Sequence, residues 1–400
     1  MTVTVGDRAT RALPKPVWWL AAAWTLASTA DNFLLFVILW IAGPQGWSGA
    51  ETALLVVAIR IPALFGGVLG GRAVDRFGPV PTMVLDGAVR AALMGVLVVA
   101  GWSGRFPLWV MLVLGAAAGV TAPLSFAAAR TLVPRLVDVA SLGRANALLS
   151  VGDQLPMLVG AALAGPALAL LGPGPAFVVP MVMLAMVAVI AARLPRRTAA
   201  AVEVARPGEP PRRWSSPRVA GLMALSVVYY LVYGPFETVL PYFAREQLGV
   251  SVGGYSLLWV VFGVASLMTL PLAPLLARRR PGLVNGLGAV VWGVVTVPLV
   301  LTESLPAAML VFVVSGAIWG PYSAVEATAL QRWTDPAVHG RVFGTQRAML
   351  AIAAPLGAAV GALANDHFGP AVILGTSAVA CTLAGLVSLP LLAKADRSGR

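Results

Sequence analysis

The chain is 400 residues long, 59% hydrophobic and only 11% charged, with 42 Gly and 31 Pro and a mean hydropathy of +0.87. An ordinary soluble domain is roughly 45–50% apolar and about 25% charged, so the composition excludes a soluble enzyme, a disordered chain and a disulfide scaffold. The lone Cys381 has no partner for a disulfide, and the net charge of +12 needs a reading other than nucleic acid, given below.

The apolar runs predict twelve spans, each near or above the roughly 20 residues that a helix needs to cross a bilayer. In chain order they are 16–43, 51–71, 79–102, 106–129, 144–171, 175–194, 218–243, 251–277, 281–302, 305–330, 341–364 and 370–392. The first run is too long for a signal-peptide core of 7–15 residues and reads as a retained spanning helix. The fold class is therefore all-α integral membrane.

The basic residues sort by side. One side holds Arg8, Arg11 and Lys15; Arg72 and Arg76; Arg130, Arg135 and Arg144; the arginines from Arg193 to Arg218; Arg278, Arg279 and Arg280; Arg332 and Arg341; and Lys394, Arg397 and Arg400. The other side has only Arg105 and Arg245, while Arg60, Arg90 and Arg347 fall inside spans. Cytoplasmic loops carry the excess of Lys and Arg, so both termini and the central loop are expected in the cytoplasm, in a multi-pass protein of the plasma (inner) membrane. The charge is a topology signal, and no nucleic-acid partner is expected.

Segment 195–217 is polar, Pro-rich and Arg-rich and divides the spans six and six. It reads as a linker between an N-terminal half, 1–194, and a C-terminal half, 218–400. A gap-free repeat at an offset of 197 crosses it. Thr131, Arg135, Asp138, Gly143, Arg144, Gly160, Ala161 and Ala162 recur as Thr328, Arg332, Asp335, Gly340, Arg341, Gly357, Ala358 and Ala359. Two six-helix halves in one orientation form a pseudo-two-fold pair about the membrane normal, with a site expected between them.

Between spans 2 and 3 runs Gly71-Arg72-Ala73-Val74-Asp75-Arg76-Phe77-Gly78. With this G-x-x-x-D-R-x-G motif, twelve spans and a basic central loop, the chain resembles the major facilitator superfamily. Within it the closest likeness is to enterobactin-exporter-like drug-efflux proteins, through Asp31 in span 1, Asp86-x3-Arg90 after the motif and Gly143–Leu148 at the entry to span 5. The basic pair that ends the family motif is replaced by Pro79-Val80, and the second-half counterpart has decayed to Ala277-Arg278-Arg279-Arg280. The resemblance implies that Asp75 latches the cytoplasmic start of span 11, Gly340-Arg341. A carboxylate there meets unpaired N–H groups and the positive end of a helix dipole. Gly71, Asp75, Arg76, Gly78, Asp86, Arg90, Gly340 and Arg341 form the expected gate set.

Ionisable side chains inside a span are costly and mark function. Asp86 and Arg90, one helical turn apart, are expected to pair, and Asp86 lies close enough to the cytoplasm to join the latch. Arg60 has two readings, a partner for Asp31 or for a substrate carboxylate. Asp153 and Arg347 are assigned to gate networks. The resemblance implies that spans 1, 4, 7 and 10 line the central cavity, which gives Trp24, Asp31, Asn32, Ser125, Phe126, Tyr229, Tyr230, Tyr233, Glu237, Trp319, Tyr322 and Glu326 as candidate lining. Gly234-Pro235 and Gly320-Pro321 are expected to interrupt backbone hydrogen bonding beside them. Asp31 is the first candidate proton carrier and Glu237 the second.

The expected function is a secondary transporter, a proton-coupled exporter of a small amphipathic or aromatic compound, working by alternating access as a monomer. The alternative is an uptake symporter or uniporter of the same fold. A membrane transferase is disfavoured, because the Asp-rich metal motifs are missing and both histidines, His339 and His367, fall in expected loops. No cofactor, metal cluster or ATP motif is expected, and the partners are a small substrate, protons and the lipid bilayer.

Overall fold

The computed structural model describes residues 12–102, 104–138, 141–195, 216–278, 280–334 and 339–398. Arg8, Arg11, Asp335 and most of the basic linker lie outside the described residues. All regular elements among the described residues are helical. The first six spans are α1 (Lys15–Ala42), α2 (Gly49–Phe77), α3 (Pro79–Ala100), α4 (Leu108–Leu136), α5 (Leu142–Leu171) and α6 (Val178–Ala192), the last preceded by a 3-10 turn at Pro175–Phe177. Span 7 is α7 (Pro217–Thr238), continued by the short α8 (Leu240–Glu246). Span 8 is α9 (Val252–Thr269) and α10 (Ala273–Leu276), joined by a 3-10 turn at Leu270–Leu272; span 9 is α11 (Pro281–Thr296), ending in a 3-10 turn at Val297–Leu301. Spans 10 to 12 are α12 (Leu305–Trp333), α13 (His339–Phe368) and α14 (Pro370–Ser398).

Among the described residues ten helices are long and apolar enough to cross a membrane. The other two of the twelve spans are α2 and α5, whose apolar part is Leu155–Leu171. Large apolar side chains lie on the surface, Val99, Trp102, Leu170, Met268 and Val387 being 75–83% exposed, as suits helices that face lipid.

Pro235 lies inside α7 and Pro321 inside α12; each lacks an N–H, so one backbone hydrogen bond is missing there while the helix continues, which neighbouring helices make tolerable in a membrane. 3-10 turns replace α-helix around Pro271 in span 8 and Pro298 in span 9, and span 7 breaks at Val239, between α7 and α8. The histidines are not in loops: His339 starts α13 and His367 lies in its last turn.

The chain forms two compact units, one of 1–37 and 58–208, the other of 38–57 and 209–400. In the first, Leu20, Ala23 and Ala27 of α1 pack with Met83 of α3, Leu132 of α4, Leu149 of α5 and Val187 of α6. Small residues allow this close packing, as they do generally in lipid, where burying apolar area between helices gains little. The repeat is visible in how each unit packs. A Cβ on Gly160 would lie 2.9 Å from the Asn32 Cβ on α1, and one on its repeat partner Gly357 would overlap the Leu231 carbonyl on α7. Gly119 on Ile59 and Gly316 on Phe262 are related by the same offset and make the same kind of carbonyl approach. Thr131 and Thr328 each donate to the carbonyl four residues back, both at 2.8 Å.

α2 and α3 are joined by Gly78 alone, with φ 85° and ψ 160°. Only glycine adopts this backbone without strain. Gly78→Ala is expected to lower stability by about 1–3 kcal/mol, read as a lower melting temperature of the detergent-solubilised protein; an unchanged temperature would show that the link relaxes.

Candidate transport site

In the first unit, Arg90 lies on α3 and is 1% exposed. It makes an ion pair with Asp31 of α1 and a second, at 3.5 Å, with Asp86 one turn away. Ser125 of α4 donates to the same Asp86 oxygen, Oδ2. Three helices are thus tied to one guanidinium. The local Asp86–Arg90 pair was expected; the tie from Arg90 to Asp31 was not, because 59 residues separate them. Asp86 is fully buried in this cluster, with Ser125 and Arg90 among its donors.

The Asp31 side chain is 40% exposed. It opens on a cavity of about 140 Å³ lined also by Asn32, Leu35, Ile59, Arg60, Ala118 and Ala122. Arg60 therefore lies on the same cavity as Asp31, and Arg90 makes an ion pair with Asp31. Asn32 donates to the Ser28 carbonyl of its own helix at 2.9 Å. Trp24 and Phe126 meet edge to face at 5.5 Å, and the Arg130 guanidinium sits 5.3 Å over the Phe126 ring.

In the second unit the expected aromatic residues do come together. Tyr229 stacks on Tyr322 with ring centroids 4.4 Å apart and on Trp319 at 5.5 Å; Trp319 also meets Tyr233 at 4.7 Å and Tyr230 at 5.6 Å. Tyr229, Tyr233 and Tyr322 are buried, whereas Tyr230 and Trp319 keep part of their surface exposed. The cluster extends to Trp292 of α11, 5.4 Å from Tyr229. That span was not expected at the site, and a tryptophan in an apolar run carries no signal that separates site from packing.

Glu326 is 2% exposed and accepts from the Ser226 hydroxyl of α7 and the Gln346 amide of α13. Neither Ser226 nor Gln346 was legible beforehand. Ser226 also donates to the Leu222 carbonyl, as serines in apolar helices commonly do. Glu237 is half-buried near the end of α7.

Of the gate set, Asp75 is exposed and Arg76 lies 5.3 Å over the Phe77 ring. Gly340 and Arg341 are in the first turn of α13 and Gly71 in α2; the side chains at Arg341 and Asp153 lie outside the described ones.

A twelve-span helical protein with isolated carboxylates and an arginine buried at mid-helix is a membrane carrier. The family model for the major facilitator superfamily matches residues 20–331, and the chain belongs to that superfamily. It is 27% identical over 391 residues to an uncharacterized MFS-type transporter, y4rN, of Sinorhizobium fredii, covering 93% of this chain and 94% of the relative. It is 26% identical over 402 residues to the multidrug efflux pump Tap of Mycobacterium tuberculosis, covering 95% of each. Among solved structures, a bacterial homolog of the human lysosomal transporter Spinster aligns with a TM-score of 0.73 at 15% identity, covering 97% of this chain and 98% of the other. A D-xylose-proton symporter aligns at 0.69 and 15% identity, covering 96% and 99%. The protein is a multi-pass secondary transporter of this fold and not an enzyme.

Proposed function

We propose that the protein is a proton-coupled exporter of a small amphipathic or aromatic compound, working by alternating access as a monomer in the inner membrane with both termini cytoplasmic. In this reading the halves 1–194 and 218–400 are the moving bodies and 195–217 links them. The likeness to a multidrug efflux pump over nearly the whole chain supports export. One observation carries the coupling: Asp31 is both ion-paired to a buried arginine and open on a cavity.

The Arg90 guanidinium is shared by two carboxylates, and a carboxylate that shares its cation in a membrane interior, where charge is expensive, is suited to take up a proton. A proton arriving at Asp31 frees Arg90 to pair with Asp86 alone, and a substrate entering beside Asp31 and Arg60 competes with that proton. Competition for one carboxylate is coupling. Glu326, held by neutral donors, is the second carboxylate of the cycle, and the aromatic faces of Trp24, Phe126, Tyr230 and Trp319 suit a flat apolar substrate. The exposed Asp75 serves the cytoplasmic latch with the start of α13.

The test uses inside-out vesicles acidified within and followed by a pH-sensitive dye while aromatic and amphipathic compounds are added. A compound that collapses the gradient only when the protein is present identifies proton antiport and a substrate class together. A compound that instead enters right-side-out vesicles with protons would establish uptake, and no response from folded protein would overturn proton coupling.

A further inference from the structure

The charge census leaves Arg245 as one of two basic residues on the sparsely charged side, the side read as the exterior, and the structure gives it a task there. Arg245 of α8 donates to the Trp40 carbonyl at 2.9 Å, and its guanidinium lies 4.5 Å from the Trp40 ring centroid. Trp40 is in the last turn of α1, where carbonyls lack helical partners and the dipole end is negative. Six residues beyond α1 the next helix starts with a capping box: Ser48 accepts from the Glu51 amide, and Glu51 accepts from the Ser48 amide and hydroxyl. The box leaves the Gly49 amide unfilled. That amide donates to both oxygens of Asp366 in the last turn of α13, at 2.9 and 2.8 Å. Tyr242 of α8 adds a hydroxyl contact to Thr52 at 3.2 Å.

An arginine on the negative end of α1 and an aspartate on the positive end of α2 therefore grip one helical hairpin. The hairpin, 38–57, packs with the second unit although the rest of α1 and α2 belongs to the first. If the units move against each other, α1 and α2 must bend near residues 37 and 57 or the hairpin must come free. At the α1 junction Phe36, Val37, Ile38 and Leu39 are all buried and include no glycine or proline, the usual causes of a helix kink. Asp366, by contrast, is exposed, so its two hydrogen bonds exchange readily with water.

We propose that Asp366 and Arg245 form a releasable outer clasp that shuts the exterior path by holding the α1–α2 hairpin, and that its opening is the exit step of the transport cycle. The proposal rests on the exporter reading only for which side is outside and for the meaning of opening. It would be the counterpart, at the other ends of α2 and α13, of the Asp75 latch read from the motif: Asp366, like Asp75, lies in the last turn of its helix.

The test places a single reporter, Leu35→Cys on the cavity wall, in a Cys381→Ser background and measures its reaction with a membrane-impermeant maleimide in right-side-out and inside-out vesicles. Asp366→Ala and Arg245→Gln are each expected to speed labelling from the exterior by roughly twofold to fivefold, the value of one helix-end charge. Asp366→Asn, which keeps one acceptor oxygen, should fall between. Glu303→Gln, in the loop before α12, should leave the rate unchanged. If a variant fails to fold by gel filtration, Gly49→Ala provides the second route, because its Cβ would overlap the Ala362 carbonyl. Folded Asp366→Ala and Arg245→Gln proteins that label at the parent rate would overturn the clasp, as would a parent already labelled fast from outside. Labelling needs neither substrate nor proton, so a silent pH assay with responsive labelling removes the exporter reading and leaves the clasp, and the reverse outcome removes the clasp alone.

Discussion

Asp31→Asn should fold like the parent protein and lose the coupling of substrate to protons. Asparagine keeps the shape and one acceptor oxygen for Arg90, but it cannot take up or release a proton at pH values where a carboxylate does. Substrate addition to acidified vesicles should then leave the gradient standing. A substrate cation that Asp31 binds directly should bind roughly tenfold to a hundredfold more weakly, the range for a lost charge-assisted hydrogen bond of about 1.5–3 kcal/mol. Asp31→Glu should retain coupling, because the carboxylate persists and the cavity beside it has room for one methylene. The same gradient assay checks both variants, and full proton-driven transport by Asp31→Asn would move the proton to another carboxylate, Glu326 first and Glu237 after it.

Arg90→Met is expected to be the most damaging single change in the first unit. It removes the cation paired with both Asp86 and Asp31 and strands the buried Asp86 carboxylate. Breaking one side of a buried ion pair costs about 3–5 kcal/mol, enough to unfold much of a marginally stable protein. Arg90→Met with Asp86→Asn should recover a large part of that loss, since the second change removes the stranded charge while Ser125 can still hydrogen-bond the amide. The comparison is made by thermal unfolding in detergent. If the double variant is no more stable than Arg90→Met, the pair is not what holds α1, α3 and α4 together. Transport should fail in both, because a carboxylate at Asp31 without its arginine no longer answers to the proton in the same way.

The parts of the site that could be read in advance are those written as isolated chemistry in an apolar background. Asp31, Arg90 and Glu326 stand out because lipid makes each of them costly, and Tyr229, Tyr233, Trp319 and Tyr322 because they recur on two spans that the family resemblance assigns to the cavity. Partners drawn from other spans were illegible. Ser226, Gln346 and Trp292 are ordinary residues in ordinary positions until α7, α11, α12 and α13 are packed, and Asp366 reads as one more charge at a helix end.

The sequence by itself determined the membrane class, the twelve spans and the duplicated pattern whose glycines approach neighbouring backbones in each unit. These follow from local quantities, namely the length of apolar runs against bilayer thickness and the spacing of small residues that lets helices touch. Tertiary structure alone decided which carboxylate Arg90 serves, that Glu326 is held by neutral donors, and that Arg245 and Asp366 close on the two ends of one hairpin. The reason is range: hydrophobic length acts on each segment separately, whereas an ion pair or a helix-end contact depends on residues such as Gly49 and Asp366, 317 positions apart, meeting within 3 Å.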